Sequence, residues 1–451
     1  MKLNRRTLES YYNVSNVFGL GTGEITKLHL KHMNPVSTSI IRFIGAHRKF
    51  VKAKGIYLID EKGEKYMDFL CGYGAVNLGH EPTEVLDALR DVEGCPNILQ
   101  ASLNPFAAKL AEFLEKVTPG ELSRTFFCSS GTEAVEAAIK LSRCATGKQM
   151  LISTTKAFHG KTFGALSVSG KDKYKKPFAP LVPKTKIIPY DDLKTLEKEL
   201  RKGSTACFIV EPIQGEAGVI VPHDGYLKGA EKLCRKYGAM FIVDEIQTGM
   251  GRTGKLFCCE YEGVEPDIMC LSKSLGGGVM PIGAMITTDK IWKKAYGTLQ
   301  TCLLHTTTFG GNTRACACGI AALNTIIKKG YIRNARIQGE YLLSELKSLQ
   351  RRFPVLLDVR GKGLMIGMTF ARLKGKNSLV EGALTLWTTR QLFRKHHIVT
   401  AFTLNNFDVL RIAPPLCVTR REVNMFLSSL EDVLKQSKFF VRLGLLKKGQ
   451  L

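Results

Sequence analysis

The sequence predicts an α/β protein built on a mostly parallel sheet, with a smaller α+β region after it. Three observations carry that reading. Short apolar runs alternate with helical patterns through the middle third of the chain, the signature of strands joined by crossover helices. Two of these runs, Met240–Val243 and Ile268–Leu271, are bounded by turn residues. They are too short for helices and read as buried strands. Beyond Tyr331 the pattern changes to long helices around glycine-bearing strands, a region of about 120 residues that suits a second domain. The expected boundaries are 1–70 for an N-terminal segment that joins the small domain and the entrance, 71–330 for the large domain and 331–451 for the small one.

Residues 1 to about 50 show weak helical patterning and no motif. Gly55–Leu70 alternates like a hairpin with a turn at Glu61–Glu64. Cys71–His80, CGYGAVNLGH, is a glycine-studded loop. Glycines let a backbone approach a ligand closely, and Tyr73 adds a ring and a hydroxyl. A helical stretch from Glu84 leads to Phe126–Cys128, read as a strand. The turn Ser129-Ser130-Gly131-Thr132 then opens an amphipathic helix, Glu133–Arg143. Such a turn offers free N–H groups and a positive dipole end to an anion, although the same residues also serve as an ordinary cap. Leu151–Gly170 begins as a strand and runs into Phe158-His159-Gly160-Lys161. Phe208–Val210 is a strand ending in Glu211, with Glu216 in the glycine turn beyond. A helix, Gly229–Tyr237, returns the chain to Met240. After Leu271 come Gly276–Gly278 and the strand PIGAMIT. His305–Asn312, HTTTFGGN, is a turn dense in hydroxyls, which suits phosphate oxygens. Further helices are expected over Arg314–Lys328, Arg333–Phe353 and Gly382–His396, and from Thr419. DVRGKGLMIGMTF reads as one strand with a glycine kink. Ile398–Leu416 reads as two strands around Asn405-Asn406, with Arg411 in the second.

At 451 residues the chain is too long for one ordinary core. No apolar run reaches the ~18 residues of a membrane span. The start, MKLNRRTLES, lacks the apolar core of a signal peptide. Its Arg and Ser content is a weak pointer to an organelle transit peptide, and a cytoplasmic address is the expectation. Thirteen cysteines carry no CxxC spacing, so free buried thiols are expected and no metal site. The net charge of +25 raises nucleic acid as a partner, but no basic block with interleaved aromatics supports it. The tail KQSKFFVRLGLLKKGQL mixes Phe439, Phe440, Leu443, Leu445 and Leu446 with lysines. It is the best candidate for membrane contact, yet such a tail more often caps its own domain, and no membrane contact is expected.

The chemistry concentrates where the two buried runs end. Asp244 follows the first and Lys273 the second. In an open parallel sheet, ligands sit outside the carboxyl ends of the strands. A carboxylate and a lysine on neighbouring strand ends match the needs of pyridoxal phosphate: a lysine to hold it covalently and an anion for its ring nitrogen. The bland alternative is a structural ion pair. Phe158 stands where an aromatic could stack on a flat ring, and the absence of GxxxxGK[ST] argues against a nucleotide P-loop.

Taken together, SGTEAVEAAIK, FHGKT-GALS, EPIQGEAGV, VDEIQTGMGRTGK, SKSLGGG-MPIGA, HTTTFGGN, RGKGLMIGM and LRIAPPL resemble the class III (subgroup II) pyridoxal-phosphate-dependent aminotransferases. The resemblance covers about Gly55 to Pro415. AFHGK, QTGMGRTGK, GGGVMPIGA, HTTTFGGN and TLNN read most like the putrescine (diamine) branch, with the ornithine and acetylornithine enzymes next to it. The resemblance implies fold type I: a large domain with a mostly parallel seven-stranded sheet, plus a smaller α+β domain. It implies Lys273 as the cofactor's lysine and proton shuttle, Asp244 at the ring nitrogen, and Gln247 at the phenolic oxygen. Phe158 would stack on the ring, with His159 beside it, and Ser130, Gly131 and Thr132 would meet the phosphate. Thr308 would reach the phosphate of a partner subunit, hence a homodimer with shared sites. Arg411 would grip the α-carboxylate of 2-oxoglutarate, Glu216 would pair with Arg411, and Tyr73 would line the substrate side. Lys161 stands where ornithine-type relatives carry arginine, so a distal carboxylate is held less specifically. Ser274 replaces a common alanine. The expected reaction moves an amino group from a terminal diamine such as putrescine or cadaverine to 2-oxoglutarate. Ornithine or N-acetylornithine as donor, an aminomutase and a non-catalytic binding protein are the rivals.

Overall fold

The structure, a computed structural model, describes residues 14–374, 382–442 and 446. The basic start of the chain and the tail residues Leu443 and Leu445 lie outside the described residues. Two short helices, Thr22–His32 and Pro35–Ile44, fill the weakly patterned start. Then β1 (Phe50–Lys54), β2 (Tyr57–Asp60) and β3 (Lys65–Asp68) form an antiparallel meander. The expected hairpin is its second half. β1 was not legible, because FVKAK alternates lysines with half-buried residues on an edge.

Seven strands form the central sheet: β4 (Leu122–Cys128), β5 (Met150–Thr154), β6 (Thr185–Ile188), β7 (Thr205–Val210), β8 (Met240–Asp244), β9 (Ile268–Leu271) and β10 (Gly283–Thr288). Their order is β4-β10-β9-β8-β7-β5-β6. β5 to β9 pair in parallel with their neighbours, and only β10 runs against both β9 and β4. The continuous apolar runs follow from burial on both faces. Phe208, Val210, Phe241, Val243, Met269 and Leu271 enter one core. Their alternating neighbours Cys207, Ile209, Ile242, Ile268 and Cys270 enter the core on the opposite face. Truncating one such ring, as in Phe241→Ala, costs about 3–5 kcal/mol.

The Gly131–Thr146 helix packs on the second face through Ala134, Val135, Ala138 and Leu141. Small residues let it lie close to the sheet. Ser130 caps its start, accepting the Glu133 N–H at 3.4 Å, and Gly147 ends it at φ 68°.

The remaining strands are β11 (Leu356–Lys362), β12 (Met365–Phe370), β13 (Ile398–Val399), β14 (Ala401–Phe402) and β15 (Val409–Ile412). The order β11-β12-β15-β14 makes a small antiparallel sheet. DVRGKGLMIGMTF is therefore a hairpin, not one kinked strand. Gly363, at φ 55°, makes the turn. Likewise the stretch after Ile398 holds three short strands rather than two. β13 leaves the small sheet to pair with β3, Ile398 opposite Met67. Ile56, Met67 and Phe69 accordingly share one core with Leu364, Ile412 and Phe426, and the Phe69 and Phe426 rings stack at 4.4 Å.

All thirteen cysteines are free. Among the described residues no cluster is arranged to hold a metal, and no helix is long and apolar enough to cross a membrane.

Candidate active site

Five strand ends meet at one edge of the central sheet. β8 ends in Asp244, β9 leads to Lys273, and β7 leads to Glu211 and Glu216. β5 leads to Phe158 and His159, and β4 to Ser130. β8 and β9 are hydrogen-bonded neighbours, with Asp244 opposite Cys270, so Asp244 and Lys273 reach the same cavity from adjacent strands. The edge encloses a cavity of 360 Å³ whose walls include Gly131, Thr132, Phe158, His159, Lys161, Glu216, Asp244, Gln247 and Lys273. Nine of the thirteen sequence-predicted residues thus share one space.

Asp244 is fixed from two sides. Its Oδ2 lies 2.7 Å from His159 Nδ1, and its Oδ1 accepts the Ile246 N–H at 3.1 Å. His159 is buried, held by its own N–H to Ser169 Oγ at 3.1 Å, and its Nε2 has no partner. Lys273 has left-handed backbone, φ 49°, an uncommon state for a side chain of this size. Burial brings its amine down to about 8, with Glu216 and Asp244 opposing the shift and Arg411 adding to it. A neutral amine is the form that attacks a carbonyl.

Glu216 pairs with Arg411 across the two sheets, Oε1 to Nη2 at 2.7 Å. Its Oε2 accepts the Leu404 N–H at 3.0 Å. Burial pushes the Glu216 carboxyl up, but Arg411 and Lys273 outweigh burial and hold it below the ordinary carboxylate range. Arg411 is 1% exposed, and its guanidinium lies 5.3 Å from the Tyr73 ring centre. Arg411 Nη2 also donates to the Gly215 carbonyl at 3.3 Å, whereas Nε and Nη1 have no partner. The guanidinium therefore keeps donors to spare for a carboxylate.

The other predicted residues fall around this frame. Ser130 is spent on the helix cap, its hydroxyl donating to Glu133 Oε2 at 2.9 Å, and it lines an adjoining cavity of 280 Å³ that Lys273 shares. Thr132 Oγ1 bonds Thr162 Oγ1 at 2.8 Å. Lys161 stands at the mouth, its Nζ 5.3 Å from the Tyr174 ring. Tyr73 is 45% exposed. Thr308 lies on the surface, outside the cavity, where its carbonyl accepts from Gln100 Nε2 at 2.6 Å.

The cavity also contains Glu211, Ile213, Ile246, Thr248 and Ser272, none of them singled out from sequence. Glu211 carried a signal: it ends a buried strand in the same way as Asp244. Its carboxyl is raised to about 7 by burial, with His159 opposing and Asp244 adding.

Pyridoxal phosphate fits these residues. Gln247 Oε1 is a buried acceptor without a partner on the cavity wall. Gly131 makes a cradle that a Cβ would close, 2.8 Å from Ile246. Its helix presents first-turn N–H groups to an anion.

The family model for class-III aminotransferases matches residues 45–434. Putrescine aminotransferase of Pectobacterium atrosepticum is 42% identical over 389 residues, covering 84% of this chain and 80% of that protein. Aminotransferase PigE of Serratia sp. is 36% identical over 452 residues, covering 91% of this chain and 53% of that protein. The chain thus spans about half the length of the latter relative. An ornithine aminotransferase from Toxoplasma gondii, crystallized with partial occupancy of PLP at its active site, superposes with a TM-score of 0.79 at 30% identity, covering 87% of this chain and 91% of that one.

Proposed function

This chain belongs to the class-III aminotransferases, pyridoxal-phosphate enzymes, and we propose that it carries an amino group from a terminal diamine, such as putrescine or cadaverine, to 2-oxoglutarate. The observation that carries this reading is the closed Glu216–Arg411 pair. While Glu216 holds Arg411, an incoming carboxylate must displace that pair to engage the guanidinium fully. A donor without an α-carboxylate leaves that pair closed. The keto acid then competes Arg411 away from Glu216. The 42% identity to a putrescine aminotransferase supports the donor class.

Bound pyridoxal phosphate supplies a carbonyl that trades its oxygen for an amino group and a ring that withdraws electrons. Lys273 holds the cofactor and moves the proton between substrate carbon and cofactor at its Nζ. Asp244, oriented by His159, keeps a proton on the ring nitrogen; a buried carboxylate beside a cation keeps both charged. Gly131 and Thr132 offer N–H groups to the phosphate, and Phe158 covers the ring. Gln247 supplies an amide for the phenolic oxygen.

The residues of the 299–309 stretch support a homodimer that completes the site with Thr308. Leu299 and Leu303 are 92% and 77% exposed there, beside Leu304 and Phe309, a patch that a second copy would cover. The cytoplasmic address and the domain boundaries stand as part of this reading. Ornithine or N-acetylornithine as donor is the second reading; Lys161 at the cavity mouth offers a distal carboxylate a point charge without the bidentate fork of arginine, which favours the diamine.

A panel of amines with 2-oxoglutarate and with pyruvate tests these readings. Glutamate release driven by putrescine or cadaverine is expected. Faster turnover of ornithine favours the second reading, and turnover of pyruvate without 2-oxoglutarate contradicts the role of Arg411. Isomerised amine formed without any keto acid would reveal an aminomutase.

A further inference from the structure

Glu211 is 6% exposed and lines the cavity, yet its oxygens take two backbone N–H groups rather than a cation. Oε1 accepts from Phe158 at 2.8 Å and Oε2 from Gly215 at 3.2 Å. A buried carboxylate without a cation is unfavourable, and glutamine or an apolar residue would carry less penalty. The fold does not depend on it to hold this corner. The Tyr190 hydroxyl donates to the Glu211 and Pro212 carbonyls at 3.2 and 3.0 Å. Gln214 Nε2 donates to Thr154 Oγ1 at 3.0 Å and to the Thr155 carbonyl at 2.9 Å.

What the carboxylate adds is reach. Phe158, the proposed ring cover, lines the cavity and precedes His159. Gly215 accepts Arg411 Nη2 on its carbonyl and precedes Glu216. A Cβ at Gly215 would meet the Gln247 side chain, so this turn passes close to the cavity wall.

We propose that Glu211 is a positioning residue for the carboxylate clamp: it fixes the Gly215 peptide, and with it the resting contact of Arg411, against the backbone that carries the ring cover. The inference rests on the reading of Arg411 as the keto-acid clamp. His159, Asp244 and Lys273 face Glu211 from β5, β8 and β9, and Tyr190 lies behind it. Because burial brings the carboxyl to about 7, the anchor is ionised, and a full acceptor for both N–H groups, only above that pH.

The test uses Glu211→Gln and Glu211→Asp holoenzymes. The two half-reactions are followed separately by the absorbance of the bound cofactor. Gln is expected to slow the reaction with 2-oxoglutarate at least about tenfold while leaving the amine half within about threefold, and Asp to recover part of the loss. The wild-type acceptor rate should fall below pH 7 and the Gln variant should not. Equal loss in both halves, or a Gln variant with the wild-type profile, overturns the proposal. If the Gln variant does not fold, a wild-type acceptor rate without an acid limb near pH 7 overturns it instead. The resting enzyme gives a readout free of the acceptor. Removing a negative charge that faces Lys273 should lower the pH midpoint of the cofactor's visible absorbance by about half a unit, and an unmoved midpoint refutes the placement. A moved midpoint in an enzyme that ignores 2-oxoglutarate supports the placement of Glu211 and overturns the acceptor reading alone.

Discussion

Asp244 with His159, and Glu216 with Arg411, are both buried pairs closed to 2.7 Å, yet they are tethered differently. Asp244 ends β8 and His159 lies on the loop after β5, so both are carried by the central sheet; Asp244 Oδ1 accepts the Ile246 N–H and the His159 N–H donates to Ser169 Oγ. Glu216 sits on the turn after β7, whereas Arg411 comes from β15 of the small sheet. Arg411 also keeps two nitrogens without partners. Equal separation therefore does not mean equal permanence. A pair within one sheet is a fixture, whereas a pair between sheets, whose cation has donors to spare, can exchange one carboxylate for another.

The comparison can be broken in several ways. Replacing Lys273, the lysine proposed to hold the cofactor, should have the largest effect. Lys273→Ala is expected to lower turnover by at least about 10⁴-fold and to abolish the visible band of the bound cofactor; full activity in that variant would sink the mechanism. Asp244→Asn should lower both half-reactions together by about 10²–10³-fold, because the ring nitrogen serves both directions. Single-turnover traces check this, and damage confined to one half would mean the fixture is not one. Arg411→Gln should split the halves. The second-order rate constant with 2-oxoglutarate should drop about 10²-fold and the reaction with a diamine should change by less than about threefold. An equal drop in both would erase the distinction between the pairs.

The smallest effect is a pH dependence. On the proposed reading, capture of the cofactor by the free enzyme needs the neutral amine of Lys273. Its folded value of about 8 lies below the ordinary 10.5, so the neutral fraction grows about tenfold per pH unit up to 8 and then levels off. Stopped-flow capture rates should follow that curve. A rise continuing toward pH 10 would show that burial does not perturb the amine.

Much of this was legible because charged residues ending short apolar runs are rare and easily seen. Asp244, Lys273 and Glu211 all carry that mark, and Glu211 escaped notice only because no motif assigned it a task. The pairing of Glu216 with Arg411 came from the family resemblance, since nothing in residues so far apart in the chain announces that they touch. Gly363 misled: a glycine inside an apolar run reads as a kink or a turn alike, and only the pairing of Val359 with Met368 decides it. β6 stayed hidden because TKII is a short edge strand with half-buried side chains. Thr308 is a different case. The resemblance assigns it to the phosphate of another subunit, and in the single chain it lies exposed on the surface.

The pairing of Met67 with Ile398 also fixes an order in time. During synthesis the strands of the central sheet emerge before β11 to β15, and domains form as they emerge. The edge carrying Asp244 and Lys273 can assemble while β3 still waits for its neighbour. On the proposed reading the groups that would hold a cofactor come together first, and Arg411 can reach Glu216 only after the last part of the chain has been made.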